Sequence, residues 1–298
     1  MGITRATIKF LMREGKREKL FGNVLTAGRQ DIWATNEDIR KWSREMDFQL
    51  KNTKVAISED KYLKEMKYVT DETFFLSLGF DSVDSIDCSD YEGSTIVHDL
   101  NEDIPENLQC KFDLIFDGGT SEHIFNFPKV LENYNKMLKV GGRIIHGLPS
   151  SNCVDHGFYM FSPTLFFDYY TANKWNIIDS LFVQFASRND RKKWKFYSYK
   201  PGCLDRYSFG GFNKGISAVF FIVKKEYHST FNASVQQGAC IKTWNTLSND
   251  QQEIPTKQSF SLYKRIKKII PKRIKVFIYN LIISKIPKRF YLKLVAKY

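Results

Sequence analysis

The sequence lacks the features that define several common classes of protein. Its five cysteines show no Cys-x-x-Cys spacing, so neither a zinc cluster nor a disulfide framework is predicted. No apolar run reaches the roughly 20 residues that a membrane-spanning helix needs. The pattern Gly-x-Ser-x-Gly is absent, which argues against a serine nucleophile on an elbow turn. Histidines and acids do not show the spacing of a metal site, and we predict no metal.

Acidic residues are missing from the C-terminal end of the chain. Residues 257–298 contain thirteen Lys and Arg and no Asp or Glu, against a net charge of +12 for the whole chain. Residues 1–256 are therefore close to neutral. The apolar residues near the N-terminus are interrupted by charges, unlike the continuous core of a signal peptide. We expect a cytoplasmic protein.

Short β-rich runs alternate with helical patterns over most of the chain. We predict strands at residues 23–28, 83–87, 95–99, 112–117 and 143–148, and helices at 3–20, 36–46, 70–79 and 128–139. This alternation predicts right-handed crossovers and a mainly parallel sheet with helices on both faces, which is a three-layer α/β fold. Two later strand-like runs, 177–185 and 216–224, are expected to form an antiparallel edge.

The chain divides into three parts by composition. We predict an α/β domain over residues 1–225, a polar linker over 226–258 and a basic amphipathic tail of helices over 259–298. Within the domain, residues 30–70 are extra length, which we interpret as a lid over an acceptor site. A helical insertion without such a role is the alternative. An aromatic, basic loop is predicted around Trp194.

Ligands of an open parallel sheet bind outside the carboxyl ends of its strands, near the point where the strand order reverses. Three predicted strands end in an aspartate: Asp87, Asp99 and Asp117. A single aspartate at the end of a strand is more often a helix cap. Three aspartates at one edge of the sheet are more than turns usually contain. This edge is therefore the predicted site.

One stretch of sequence carries a family resemblance. Residues 112–123 read FDLIFDGGTSEH, and they are followed by LKVGG at 138–142 and a strand at 143–148. In this order the residues resemble the class I S-adenosylmethionine-dependent methyltransferase family, over roughly residues 20–225. The resemblance implies a Rossmann-like methyltransferase fold and S-adenosylmethionine as cofactor.

The first turn departs from that family. Around Gly28 it reads TAGRQD, where the family has an acidic residue followed by several glycines. A dinucleotide fold would require Gly-x-Gly-x-x-Gly with an acid about 20 residues further on. Here Asp87 lies 59 residues after Gly28, which disfavours a nicotinamide cofactor.

The resemblance implies a set of cofactor-binding positions. They are Gly28, Asp87, Asp99, Leu100, Asp117, Gly118 and Thr120. By the family's layout, Gly28 lets the backbone approach the methionine part, and Asp87 accepts the two ribose hydroxyls. Asp99 with Leu100 corresponds to the adenine side, and residues 117–120 to the floor beside the reactive methyl group.

Methyl transfer to a hydroxyl acceptor also needs a base. His156 and His123 are the candidates, because an imidazole titrates near neutrality and both lie on loops at the predicted edge. A hydrogen-bonded histidine that stabilises its loop is the alternative for each. The run DHGFYMFSP at 155–163 combines charges, a glycine and aromatics, which favours His156. His98 and His146 lie within predicted strands and are expected to be structural.

The sequence therefore predicts a methyltransferase that acts on an oxygen or nitrogen of a small molecule or sugar. Surface-polysaccharide or glycan biosynthesis is the pathway suggested by the resemblance and the tail. A non-catalytic scaffold with the same fold is one alternative. An RNA methyltransferase is another, and the near-neutral charge of residues 1–256 disfavours it.

The basic tail predicts a partner of its own. Basic amphipathic helices are typical of peripheral attachment to an anionic membrane surface, so residues 259–298 are expected to bind one. Nucleic-acid binding is disfavoured, because the apolar residues there are mostly Ile and Leu, which do not stack on bases. Packing against the domain or a second copy is the remaining alternative.

Overall fold

The computed structural model describes residues 2–185, 193–207, 215–241, 244–245 and 293–298. Six helices of this part are α1 Arg5–Arg17, α2 Asn36–Glu45, α3 Lys61–Glu65, α4 Asp71–Leu78, α5 Phe127–Met137 and α6 Pro163–Ala172. Its strands are β1 Asn23–Ala27, β2 Ser82–Asp87, β3 Ile96–Val97, β4 Phe112–Asp117, β5 Leu138–Ser151, β6 Asn176–Phe185, β7 Lys195–Ser198, β8 Ile216–Lys224 and β9 Lys293–Lys297.

The strands form one sheet in the order β3-β2-β1-β4-β5-β8-β6-β7-β9. The first five run parallel, whereas β8 is antiparallel to both β5 and β6, and β7 is antiparallel to β6 and β9. The predicted Rossmann-like α/β fold with an antiparallel edge is confirmed. The strand order reverses between β1 and β4, which places the ligand crevice of such a sheet at their carboxyl ends.

Two hydrophobic cores lie on opposite faces of the sheet. Neighbouring strand residues alternate between them, as Val24 and Leu25 do in β1 and Leu114 and Ile115 do in β4. Helices α1 and α4 cover one face, and α5 and α6 cover the other. The domain therefore has the predicted three layers.

Polar caps fix the helices that border the crevice. Thr35 and Asp38 form a reciprocal capping box at α2, which begins at Asn36 as the sequence predicted. Thr70 caps α4 through the backbone N–H of residue 73, and Gly79 ends that helix with φ +122°. The extra length between β1 and β2 is therefore ordered by local hydrogen bonds.

The aromatic loop predicted around Trp194 is instead a strand. Residues 195–198 form β7, which pairs with β6 on one side and β9 on the other. Phe196 is fully buried and stacks against Phe10, while its ring meets Phe220 edge-on. Lysines at positions 192, 193, 195 and 200 surround the short strand, which is why its apolar pattern was obscured. Helix α6 was not predicted either, although Pro163 is a typical first residue of a helix.

Contacts with the domain continue past the predicted boundary at residue 225. The Nζ of Lys225 donates hydrogen bonds to the carbonyls of Asn135 and Leu138, at 2.6 and 2.8 Å. Thr230 bonds to Asn173 and accepts a hydrogen bond from the indole of Trp175. The first part of the predicted linker is therefore attached to the fold.

The end of the predicted linker, residues 246–258, and most of the basic tail, residues 259–292, lie outside the described residues. Its last described segment, β9, is a strand that pairs with β7, whereas the sequence predicted helix there. Among the described residues, no helix combines the length and the apolar character needed to cross a membrane.

Candidate active site

Turns that follow three strands meet at the reversal of strand order. Gly28 follows β1 with φ +67°, and its N–H bonds to the carbonyl of Ile86 in β2 at 2.8 Å. A Cβ at Gly28 would lie 2.8 Å from Oγ1 of Thr120 and 3.5 Å from Oδ2 of Asp87. The structure thus brings Gly28, Asp87 and Thr120 together, and a side chain at Gly28 would both strain the backbone and fill the gap.

The turn after β1 is organised by a glutamine. Gln30 is buried, and its amide donates a hydrogen bond to the carbonyl of Ala27 at 3.0 Å. Thr120 donates to the same carbonyl at 2.6 Å, which ties the turns after β1 and β4 together. The Oε1 of Gln30 has no hydrogen-bond partner among the described residues and would lie 2.8 Å from a Cβ at Gly118. A buried acceptor therefore remains available beside Gly118.

An ion pair holds this turn against α4. Arg29 contacts the carboxylate of Asp71 at 2.8 Å, and the backbone N–H of Gln30 donates to the same carboxylate at 3.3 Å. Asp71 is almost fully buried in the first turn of α4, where a negative charge is favoured by the helix dipole. Arg29 and Gln30, which follow Gly28 in this turn, therefore both have structural partners.

Three of the predicted cofactor residues do not present a free side chain at the crevice. Asp99 is exposed and accepts two hydrogen bonds from Asn101, which closes a turn. Leu100 lies in the core. The carboxylate of Asp117 is fully buried, accepts a hydrogen bond from Ser121 at 2.7 Å, and lies 2.9 Å from His146. Asp117 thus supports the turn after β4 from beneath.

Asp117 belongs to a buried polar network that links the sheet to both helices of one face. Ser121 contacts the hydroxyl of Tyr134 in α5 at 3.1 Å. His146 contacts the hydroxyl of Tyr170 in α6 at 2.6 Å. Burial raises the pKa of both tyrosines well above the usual range. His146 is fully buried, as expected of a structural histidine.

The two candidate bases lie beside each other. His123 is in the turn after β4 and His156 in the loop after β5, and their ring centroids are 5.1 Å apart in an edge-on arrangement. The carboxylate of Glu122 lies next to both, with its Oε1 3.8 Å from Nε2 of His123 and 3.7 Å from Nε2 of His156. Glu122, which directly precedes His123, is not among the site residues predicted from the sequence.

Glu122 is the most unusual ionisable group of the edge. Its side chain is 0% exposed, and neither carboxylate oxygen has a hydrogen-bond partner among the described residues. Burial, followed by the nearby charge of Asp117, raises the pKa of Glu122 to about 7. Burial also lowers the pKa of His123. A cluster of this kind is a common feature of functional sites.

The loop after β5 is fitted closely to the turn that carries Glu122. The backbone N–H of Tyr159 donates to the carbonyl of Glu122 at 3.2 Å. A Cβ at Gly157 would lie 2.8 Å from that carbonyl oxygen and 3.1 Å from Nδ1 of His123. Asn152 and Asp155 both have left-handed backbones, with φ of +61° and +64°. Strained backbone of this kind is typical of loops that hold functional side chains.

A cavity of about 480 Å³ adjoins His156. Its wall includes Trp33 from the predicted lid, together with Trp194 and Phe185 from the antiparallel strands. The rings of Phe185 and Trp194 stack at 4.1 Å, and Trp33 contacts two tyrosines of the lid segment. Apolar walls with a few polar groups are typical of a small-molecule site.

Comparisons with solved structures identify methyltransferases at low similarity. The 1,6-didemethyltoxoflavin-N1-methyltransferase of Burkholderia thailandensis, solved with S-adenosylhomocysteine, is 12% identical over 74% of this chain and 76% of its own, with a TM-score of 0.35. A geranyl diphosphate methyltransferase solved with its cofactor is 12% identical over 74% and 84%, also with a TM-score of 0.35.

An S-adenosylmethionine-dependent methyltransferase from Clostridium acetobutylicum is 12% identical over 74% of this chain and 90% of its own, with a TM-score of 0.30. No family model and no curated sequence matches the chain. Likenesses with such low identities and TM-scores do not establish an activity or a substrate.

Proposed function

We propose that this chain is an S-adenosylmethionine-dependent methyltransferase whose acceptor is an oxygen or nitrogen of a small molecule or sugar. The observation that carries the proposal is the meeting of Gly28, Asp87 and Thr120 at the reversal of strand order. Ligands of open α/β sheets bind at this place. The resemblance of residues 112–148 to the methyltransferase family supports the same conclusion.

The residues at this edge fit the chemistry of the cofactor. A carboxylate at Asp87 can accept two hydrogen bonds from the ribose diol. The unpartnered Oε1 of Gln30 would accept a hydrogen bond from the ammonium of the methionine part. Gly28 leaves room for the ligand to approach the backbone. When bound, the cofactor supplies an electrophilic methyl group.

The acceptor would occupy the cavity beside His156. Its aromatic walls exclude water and align the acceptor for an in-line displacement, which are the main tasks of the protein in methyl transfer. A hydroxyl acceptor must lose its proton, and the imidazole of His156 or the carboxylate of Glu122 would receive it. His156 lines the cavity, and the carboxylate of Glu122 lies 3.7 Å from its imidazole.

For the tail we propose attachment to an anionic membrane, with a membrane-bound glycan precursor as a suitable acceptor. The charge of residues 259–298 supports this assignment. Co-sedimentation with phosphatidylglycerol vesicles tests it, with phosphatidylcholine vesicles as the neutral comparison. Equal recovery with both lipids would contradict electrostatic attachment.

Calorimetric titration of the full chain with S-adenosylmethionine and S-adenosylhomocysteine tests the proposed activity. We expect saturable binding that weakens at least about tenfold, or about 1.4 kcal/mol, in Asp87→Asn. Asp84→Asn is the matched control, because Asp84 lies on the same strand but pairs with Lys111 at 3.2 Å. If the intact protein binds neither compound, the non-catalytic scaffold is the better interpretation.

A further inference from the structure

Glu122, His123 and His156 form a cluster of potential metal ligands beside the cavity. One ligand atom from each side chain lies within 4.8 Å of the other two. The distances of 3.7 and 3.8 Å from Glu122 to the imidazoles exceed those of a hydrogen bond. The carboxylate of Glu122 is fully buried and accepts no hydrogen bond from another described residue, which is costly unless a cation or a proton balances its charge.

We propose that Glu122, His123 and His156 bind one divalent transition-metal ion such as Zn²⁺. Two imidazole nitrogens and one carboxylate oxygen are the protein ligands of several catalytic zinc sites. The same donors also suit Fe²⁺. Mg²⁺ and Ca²⁺ prefer oxygen ligands, so a site with two imidazole nitrogens favours a borderline-soft metal ion over either of them.

The spacing of the donors suits an ion of this size. Zinc bonds to nitrogen and oxygen are about 2.0–2.2 Å long, so ligand atoms of a tetrahedral site lie about 3.3–3.5 Å apart. The two contacts of Glu122 are a few tenths of an ångström longer, and no donor atom of the cluster lies more than 4.8 Å from another. Rotation of the side chains would have to bring all three donors closer around an ion.

The backbone around the cluster is arranged to keep the donors together. Glu122 and His123 are adjacent in a short turn whose N–H at His123 bonds to the carbonyl of Thr120. Gly157 allows the loop after β5 to lie against that turn, which places His156 beside them. The donors therefore come from two segments that already contact each other.

Three protein ligands leave at least one position of the ion for another molecule. Because His156 also lines the cavity, an oxygen of the acceptor is the ligand we assign to that position. A metal-bound hydroxyl loses its proton more readily than a free one. This role rests on the proposed methyl transfer, whereas binding of the ion does not.

The experiment uses the full chain, stripped with a chelator and titrated without any nucleoside. Zn²⁺ is followed by calorimetry and Co²⁺ by its visible absorption, and we expect about one ion per chain. Glu122→Gln and His156→Ala should each weaken binding at least about tenfold. Gly157→Ala keeps all three donors but forces the loops apart, so it should weaken binding as well. His228→Ala, at an exposed histidine, is the matched control and should change affinity less than twofold.

Saturable binding in the intact protein that is unchanged in Glu122→Gln would overturn the proposal, as would the absence of saturable binding. Thermal unfolding separates loss of the site from loss of the fold: Zn²⁺ should raise the melting temperature of the intact chain and not that of a folded Glu122→Gln. Failure of the separate S-adenosylmethionine titration, with Zn²⁺ binding retained, would remove the acceptor role and leave the metal site.

Discussion

The parallel and antiparallel halves of the sheet make different contributions to the site. The parallel half, β3-β2-β1-β4-β5, carries the polar groups at its carboxyl edge, including Asp87 and Glu122. The antiparallel half, β8-β6-β7-β9, contributes the aromatic wall of the cavity through Phe185 and Trp194. The polar groups of the candidate site and the aromatic pair Phe185 and Trp194 of the cavity wall therefore come from separate parts of the fold.

The difference follows from how the strands are connected. Parallel strands all end at one edge, so the turns after β1, β2 and β4 converge there. Neighbouring antiparallel strands end at opposite edges, so their turns cannot gather in the same way. Such strands still present side chains to the face of the sheet, which suits them to form a wall.

The largest effect is expected where the halves join. Phe221 in β8 is fully buried, and its ring lies against Phe166 and Tyr170 of α6. Phe221→Ala should lower the free energy of unfolding by about 3–5 kcal/mol, because it leaves a cavity in the core. Urea unfolding measures the change. Phe21→Ala, at an exposed ring, should change stability by less than about 0.5 kcal/mol, and equal losses would contradict this account.

On the parallel half, Gly28→Ala should impair the crevice. The left-handed backbone costs an alanine about 1–2 kcal/mol of stability, and the new Cβ would contact Thr120. Affinity for S-adenosylmethionine should fall at least about tenfold, or about 1.4 kcal/mol.

Gly93→Ala is the control that separates the effect of backbone strain from the effect of a contact with Thr120. Gly93 has φ +72°, but nothing lies within 4 Å of the Cβ that an alanine would add. Gly93→Ala should lower stability as much as Gly28→Ala does, and it should leave the affinity for S-adenosylmethionine unchanged. If both variants lose affinity equally, the crevice is not at Gly28.

On the antiparallel half, Ala218→Trp should fill the acceptor cavity. Ala218 lies in β8 and lines that cavity. Methylation of the acceptor found by screening should fall at least about tenfold in kcat/KM, or about 1.4 kcal/mol, with cofactor affinity changed less than twofold. Val140→Trp, at an exposed residue near the start of β5, is the control. If Ala218→Trp instead weakens cofactor binding and leaves turnover of the acceptor normal, the antiparallel half does not line the acceptor cavity.

The smallest effect concerns the lid segment. Thr35→Ala removes the cap of α2 and should lower the free energy of unfolding by about 1 kcal/mol. Thr4 precedes α1 without a side-chain cap bond, so Thr4→Ala is the matched control and should have a smaller effect. Thermal unfolding of the two variants makes the comparison. Equal losses would show that the capping box does not stabilise the segment.

The sequence predicted every strand of the parallel half and β6 and β8 of the antiparallel half, but neither β7 nor β9. Apolar runs that end at a glycine or an aspartate, as at Gly28 and Asp117, mark β1 and β4 within a residue or two. β7 has four residues, of which only Phe196 is buried, and its partner β9 lies almost 100 residues further along the chain. Pairing at that distance leaves no local signal.

The candidate site also depends on contacts between distant segments, which the sequence does not predict. Sequence position predicted that His123 and His156 lie at the carboxyl edge, and the structure brings them together. That Glu122 is fully buried between them depends on the loop around Gly157, which packs over it from another strand. Burial of an acid by a distant segment cannot be read from the residues beside it.

A crystal structure of the full chain with S-adenosylhomocysteine would show where the cofactor binds. We expect the nucleoside at the ends of β1, β2 and β4, with its ribose hydroxyls on Asp87 and its amino acid part beside Gln30. Crystals that contain the ligand at any other place, or a crevice closed by the bond from Thr120 to Ala27 with the ligand excluded, would contradict this expectation.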